Sequence, residues 1–189
     1  MRTHSSEMDP KARRYDRQLR LWAASGQTAL EAAHVLVLAS SATATSILKN
    51  LVLPGIGAFT ILDDVLTSPS DAGNNFFLRG PHSIGKPRAQ EAVSLLQELN
   101  DSVRGYADLR NIDHLLPKDL SRYSLVVAHN LSQPQLRRLS QLLWQDDHAP
   151  PLIVVRSAGF LAEFFIQQHE HTSKSPLLFQ GDHILTALV

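Results

Sequence analysis

A doubly wound α/β domain on a mostly parallel sheet is the fold this sequence predicts, and three observations predict it. Short apolar runs of strand length recur at residues 35–38, 58–63, 124–128 and 151–155. Between them lie segments of helical spacing, residues 42–53, 84–99 and 133–144. Strands alternating with helices in this way imply parallel pairing with right-handed crossovers. The third observation is the stretch 35–56, VLVLASSATATSILKNLVLPGI, which has the strand, tight turn and helix of a mononucleotide-binding unit. The predicted architecture is therefore Rossmann-like, with a helical N-terminal arm.

The turn in that unit has lost its chemistry. A nucleotide loop reads G-x-G-x-x-G because only glycine lets the backbone approach a phosphate closely and aim its amides at it. Those three places hold Ala39, Ser41 and Ala44. Each carries a Cβ, so the fold is kept while the phosphate cradle is degenerate.

From the N-terminus, Asp9-Pro10 reads as a helix cap and first helical residue. The helix runs through Tyr15, Leu19 and Trp22 facing inward, and Ser25-Gly26 ends it. A second short helix leads into the first strand. After the 42–53 helix, Pro54-Gly55-Ile56-Gly57 is a turn and residues 58–63 the second strand, ending on Asp63 where such folds place a ribose contact, although with the glycines missing Asp63-Asp64 reads as the start of a turn. Residues 65–81 read as a long loop whose Phe76, Phe77 and Leu78 must be buried in the core or against a partner. Ile84 opens the next helix, residues 105–109 form a weak strand, and a short helix broken at Pro117 follows. The helix 133–144 turns Leu136, Leu139, Leu143 and Trp144 to the sheet, and residues 162–167 alternate as a last strand. The domain organisation is an arm at 1–33, an α/β domain at 34–168 and a divergent tail at 169–189.

Composition narrows the function. Eighteen basic and eighteen acidic side chains cancel, which disfavours nucleic acid or a membrane surface as a partner. Without cysteine the chain has no disulfide, thiolate metal site or thiol nucleophile. No stretch reads as a signal peptide, which places the protein in the cytoplasm or nucleus. The sequons at Asn100 and Asn130 then read as chance matches. His169-Glu170-His171 lacks the spacing of a helical metal pair, and nothing resembles a serine hydrolase elbow.

Three stretches carry a resemblance: Tyr15 through Trp22 (YDRQLRLW), Leu48 through Gly57 (LKNLVLPGIG) and Asp71 through Leu78 (DAGNNFFL). The chain resembles the regulatory subunits of neddylation-activating enzymes, also called amyloid-precursor-protein-binding proteins. They sit in the superfamily of ubiquitin-activating and molybdopterin-adenylating enzymes with the ThiF/MoeB-type adenylation fold. The resemblance covers residues 12–168. It implies one of a pair of related domains, of which the other binds ATP. Against the active pattern, only Asp63 of a D-x-D remains, because Val65 holds the second place. The loop arginine falls on Asn75, the helix-start lysine on Arg88, and the aspartate after the fourth strand has no equivalent in residues 128–132. No cofactor or metal site is implied for this chain.

The same resemblance assigns one functional residue. Arg17 matches the arginine that reaches across the pair into the partner's ATP site, and so is expected to act in trans. The implied partners are the catalytic subunit and the ubiquitin-like modifier, with no activity expected from this chain alone. Family members are longer, and from Thr172 the resemblance stops, which points to a truncated product. An interaction protein unable to support activation, or a free-standing Rossmann enzyme, are the competing functions.

Overall fold

The structure is a computed structural model that describes residues 10–169. The expected cap at Asp9, the tail from Glu170 and the His171 of the histidine pair lie outside the described residues. Five parallel strands and one antiparallel strand form a single sheet in the order β3-β2-β1-β4-β5-β6. They are β1 (His34–Leu38), β2 (Ala58–Leu62), β3 (Arg104–Asp108), β4 (Leu125–His129), β5 (Leu152–Ala158) and β6 (Leu161–Gln167). The helices are α1 (Pro10–Arg14), α2 (Asp16–Ala32), α3 (Ala42–Val52), α4 (Pro69–Asn74), α5 (Arg88–Gln97), α6 (Pro117–Leu120) and α7 (Gln133–Trp144).

The two sheet faces bury separate cores, because alternate residues of a strand point to opposite sides. Val35, Val37, Phe59 and Ile61 pack with Ala44, Leu48 and Val52 of α3 and with Ala89, Val93 and Leu96 of α5. Leu36, Leu38, Val126 and Val154 pack on the other side with Leu136, Leu139 and Leu143 of α7 and with Leu120. The central strands are apolar on both faces, as expected of a parallel sheet covered on both sides.

Several local expectations need correction. Residues 65–81 are not a bare loop: Ser68 caps α4 and Asp71 returns its side chain to the Ser68 amide at 3.0 Å. Pro69 stands in the first turn, where its missing donor is not needed. A 3₁₀ turn follows at Gly80–Ser83. Helix α5 begins at Arg88 rather than Ile84, since Gly85 takes a left-handed φ of 78° and breaks the run. Pro117 opens α6 instead of breaking a helix. Phe77 is buried at 2% exposure while Phe76 stands 84% exposed. Trp144 is 54% exposed and stacks on His169 at 4.5 Å instead of facing the sheet.

The arm does not break at Ser25-Gly26. The kink falls at Ala23, whose φ of 60° and ψ of 179° are non-helical, and it leaves Trp22 exposed, not inward. The arm is nonetheless tied to the domain. Tyr15 is buried, and its hydroxyl accepts from Asn100 Nδ2 at 3.0 Å. Gln18 donates to the Pro54 carbonyl at 2.8 Å.

Candidate functional site: a filled nucleotide loop

The strand order reverses between β1 and β4, and ligands of open α/β sheets bind in the crevice outside the carboxyl ends of strands at such a switch point. The residues there are Ala39 to Ser41 after β1 and His129 to Asn130 ending β4. Ala39 keeps the left-handed conformation of the glycine it replaces, with φ at 76°. The turn therefore survives with a side chain added to it.

The polar groups of the crevice are satisfied by the chain's own side chains. Asp63 Oδ2 accepts the Ser40 amide at 2.7 Å. Arg88 donates from Nε to Asp63 at 2.8 Å and from Nη1 to Asp71 at 2.8 Å. Burial opposes the charge on Arg88, and the two carboxylates outweigh it, holding its pKa above the ordinary arginine value. Burial likewise opposes ionisation of Asp71, but the Ser68 hydroxyl and amide and the Arg88 guanidinium hold its pKa below the usual range. Asp63, at the place where such folds put a ribose contact, is thus half of a buried ion pair.

Deeper in the fold, Asn75 occupies the place of the loop arginine. It is buried, donates from Nδ2 to the Ser40 carbonyl at 3.1 Å and accepts from Thr45 Oγ1 at 2.9 Å and the Phe77 amide at 3.0 Å. An amide here ties loop, α3 and the 75–78 segment together with no net charge.

The other wall is closed by a residue the sequence did not single out. His129 is buried, with Nδ1 at 2.7 Å from Ser41 Oγ and Nε2 at 2.9 Å from Ser157 Oγ. Ser41 also caps α3 by accepting the Ala44 amide at 3.2 Å. A neutral ring satisfies this chain, with the Ser41 hydroxyl donating to Nδ1 and Nε2–H donating to Ser157. Burial pushes the His129 pKa down, which agrees with the neutral form. Asn130 completes the wall by exchanging two hydrogen bonds with the Ser157 backbone, both at 2.9 Å. Among the described residues no group of three histidines or carboxylates could hold a metal ion.

Arg17 lies apart from this crevice, on the exposed side of α2. The Y-x-R-Q residues divide by role: Tyr15 and Gln18 lock the arm to the domain, and Arg17 faces out. Arg14 is bound to Asp101 at 2.9 Å and Arg20 to Asp16 at 2.9 Å. Arg17 and Arg13 have no side-chain partner among the described residues. Exposure alone therefore does not separate those two. Leu21, one turn beyond Arg17, is also exposed.

Residues 15–137 match the ThiF family model. The chain is 49% identical over 165 residues to the NEDD8-activating enzyme E1 regulatory subunit of Xenopus laevis, covering 86% of this chain and 30% of that protein. It is 51% identical over 164 residues to the subunit of the same name from Gallus gallus, covering 85% and 30%. For the Drosophila melanogaster subunit the identity is 43% over 171 residues, covering 88% and 32%. The chain thus spans about a third of the length of these relatives. Fold, motifs and family match agree, and the chain belongs to the ThiF family.

Proposed function

We propose that this chain is a non-catalytic subunit of the enzyme that activates the ubiquitin-like modifier NEDD8. In this reading it pairs with the catalytic subunit and supplies Arg17 to the partner's ATP site. The observation that carries the reading is the filled loop: Asp63, Arg88, Asn75 and His129 already satisfy the crevice in which an active domain would seat a triphosphate. Such a domain contributes by supporting a partner's site. The similarity to subunits named as regulatory supports the same role.

Acyl adenylation expels pyrophosphate, and charge builds on the phosphates as it leaves. A permanently charged planar fork offered from outside the site stabilises that charge without needing a base or metal of its own. Arg17 meets the requirement because no carboxylate among the described residues holds it, and the exposed Leu21 beside it gives the arm apolar surface for a partner to cover. Pairing would take place in the cytoplasm or nucleus.

The test is pyrophosphate exchange by the catalytic subunit with this chain, with binding measured in parallel. Arg17→Ala should leave the two chains associated and slow exchange at least about tenfold, equivalent to about 1.4 kcal/mol of transition-state stabilisation. Arg17→Lys should recover part of the loss, since it keeps the charge and loses the fork. Exchange at the wild-type rate by the bound alanine variant would remove Arg17 from the mechanism. Association without any exchange would overturn the activating role itself.

A further inference from the structure

A second concave surface lies along β3, on the sheet face that carries α7, and it shares no residue with the filled crevice. The parallel register sets two rows across three strands there: His34, Ala58 and Arg104, then Leu36, Thr60 and Tyr106. Arg104, Tyr106 and Asp108 alternate along β3 and so project to one face. With His34, Thr60 and Arg122 they line a cleft of about 540 Å³, within the range that holds one small molecule, about 300–1,000 Å³.

The cleft holds two arginines without a salt bridge among the described residues, although Arg110 first and then the field of Arg122 hold the Asp108 carboxyl below its usual range. Arg104 and Arg122 form no ion pair among the described residues. Arg122 donates to the Tyr123 hydroxyl at 2.7 Å and its guanidinium lies 4.9 Å from the centre of that ring. The carboxylate at the rim, Asp108, is already occupied by Arg110, which reaches its two oxygens from Nε at 3.1 Å and from Nη2 at 2.8 Å. His34 Nε2 lies 2.9 Å from Thr60 Oγ1. Burial first, then the fields of Arg122 and Arg104, push its pKa down.

The cleft also offers rings. Tyr106 is 46% exposed, with its ring centre 5.8 Å from that of His34. His34 in turn meets Tyr123 edge-on at 4.7 Å. An aromatic surface left open beside two guanidinium groups that hold no salt bridge among the described residues matches a ligand with a flat ring and a doubly charged acid group.

We propose that the cleft between Arg104 and Arg122 binds a free small molecule that joins a phosphate monoester to a planar aromatic ring. The dianion takes the two forks and the ring lies on Tyr106. A nucleoside monophosphate has this chemistry, and so does a phosphotyrosine side chain. A cleft sized for one small molecule favours the free ligand.

Phenyl phosphate is the minimal probe, titrated calorimetrically into the whole chain at low salt. The expected dissociation constant is about 1 mM or tighter. Arg104→Ala and Arg122→Ala should each weaken it at least about tenfold, the scale of one charge-assisted hydrogen bond. Arg137→Ala, which removes an exposed arginine on α7, should leave it unchanged. Inorganic phosphate, lacking the ring, should bind more weakly, and Tyr106→Ser should abolish that difference. Arg104 carries the decisive comparison, because its side chain holds no other group in place and its thermal unfolding should match the wild type. Adenosine monophosphate binding more tightly than a phosphotyrosyl peptide would support the free ligand. The reverse order would overturn it, as would phenyl phosphate affinity that Arg104→Ala does not change.

Discussion

At Ala39 a side chain sits on backbone that favours glycine, with φ at 76°. A left-handed conformation costs an L-residue about 1–2 kcal/mol, whereas glycine loses about 0.5–1 kcal/mol more chain entropy than alanine on folding. The first effect is the larger, so Ala39→Gly should stabilise the protein by about 0.5–1 kcal/mol, read as a higher midpoint in urea. It should not restore nucleotide binding, because Asp63 still holds the Ser40 amide and Arg88 still bridges Asp63 and Asp71. His129 makes a second prediction. Its pKa is lowered by burial, and that of His34 is lowered by burial and by the two arginines. For both, the unfolded chain takes up a proton first as pH falls, from an ordinary value of about 6.5. The stabilisation is therefore complete above that pH and is lost as pH falls toward the depressed folded values. Asp71 adds a later loss, below the ordinary carboxylate range of about 4, for the same reason with the opposite charge type. Urea midpoints measured from pH 8 to 5 should fall, and His129→Gln should flatten part of the slope. A midpoint constant across that range would contradict the buried neutral ring.

Between elements, the join of α2 to β2 holds the glycine with the least room for a side chain among the described residues. Gly57 donates to the Leu30 carbonyl at 3.1 Å, and a Cβ added there would meet the Glu31 carbonyl oxygen at 2.0 Å. Backbone cannot move aside as a side chain can, so Gly57→Ala should cost at least about 2 kcal/mol, toward the upper end of overpacking penalties. Thermal unfolding checks this, and a loss under about 0.5 kcal/mol would show that the join is loose. The elements also show what could be seen before the fold was known. Strands β1, β2 and β4 were legible as continuous apolar runs because the sheet is covered on both sides, and helices α3 and α7 by the helical spacing of their one buried face. Helix α4 carried its signal too, in the Ser68-x-x-Asp71 box, hidden by the proline, glycine and asparagine around it. The break in the arm was legible only to within two residues, from Ser25-Gly26, because alanine at the kink itself favours a helix. His129 could not be found either, because its partner Ser41 is 88 residues away and neither residue type marks the contact. The loss of the glycines at Ala39, Ser41 and Ala44 was legible; that Arg88 closes the space as an ion pair needed the geometry.

Across the whole molecule, the two ends of the account are a domain that has filled its own crevice and an arm whose motif arginine is left free. Only the first can be tested on the chain by itself. An active domain needs loop amides for the phosphates and carboxylates for the metal that neutralises them. Here the Ser40 amide belongs to Asp63, Asp63 belongs to Arg88, and a histidine bonded to Ser41 and Ser157 closes the other wall. A triphosphate would have to draw Arg88 from a buried ion pair and leave the Asp63 carboxylate unmatched beside its own negative charge, and breaking such a pair costs about 3–5 kcal/mol. That alone would weaken binding by at least about two powers of ten. The most direct measurement is isothermal titration of the purified chain with magnesium and ATP. The account predicts no heat above dilution. A micromolar dissociation constant would contradict it and return the chain to the nucleotide-binding half of the family.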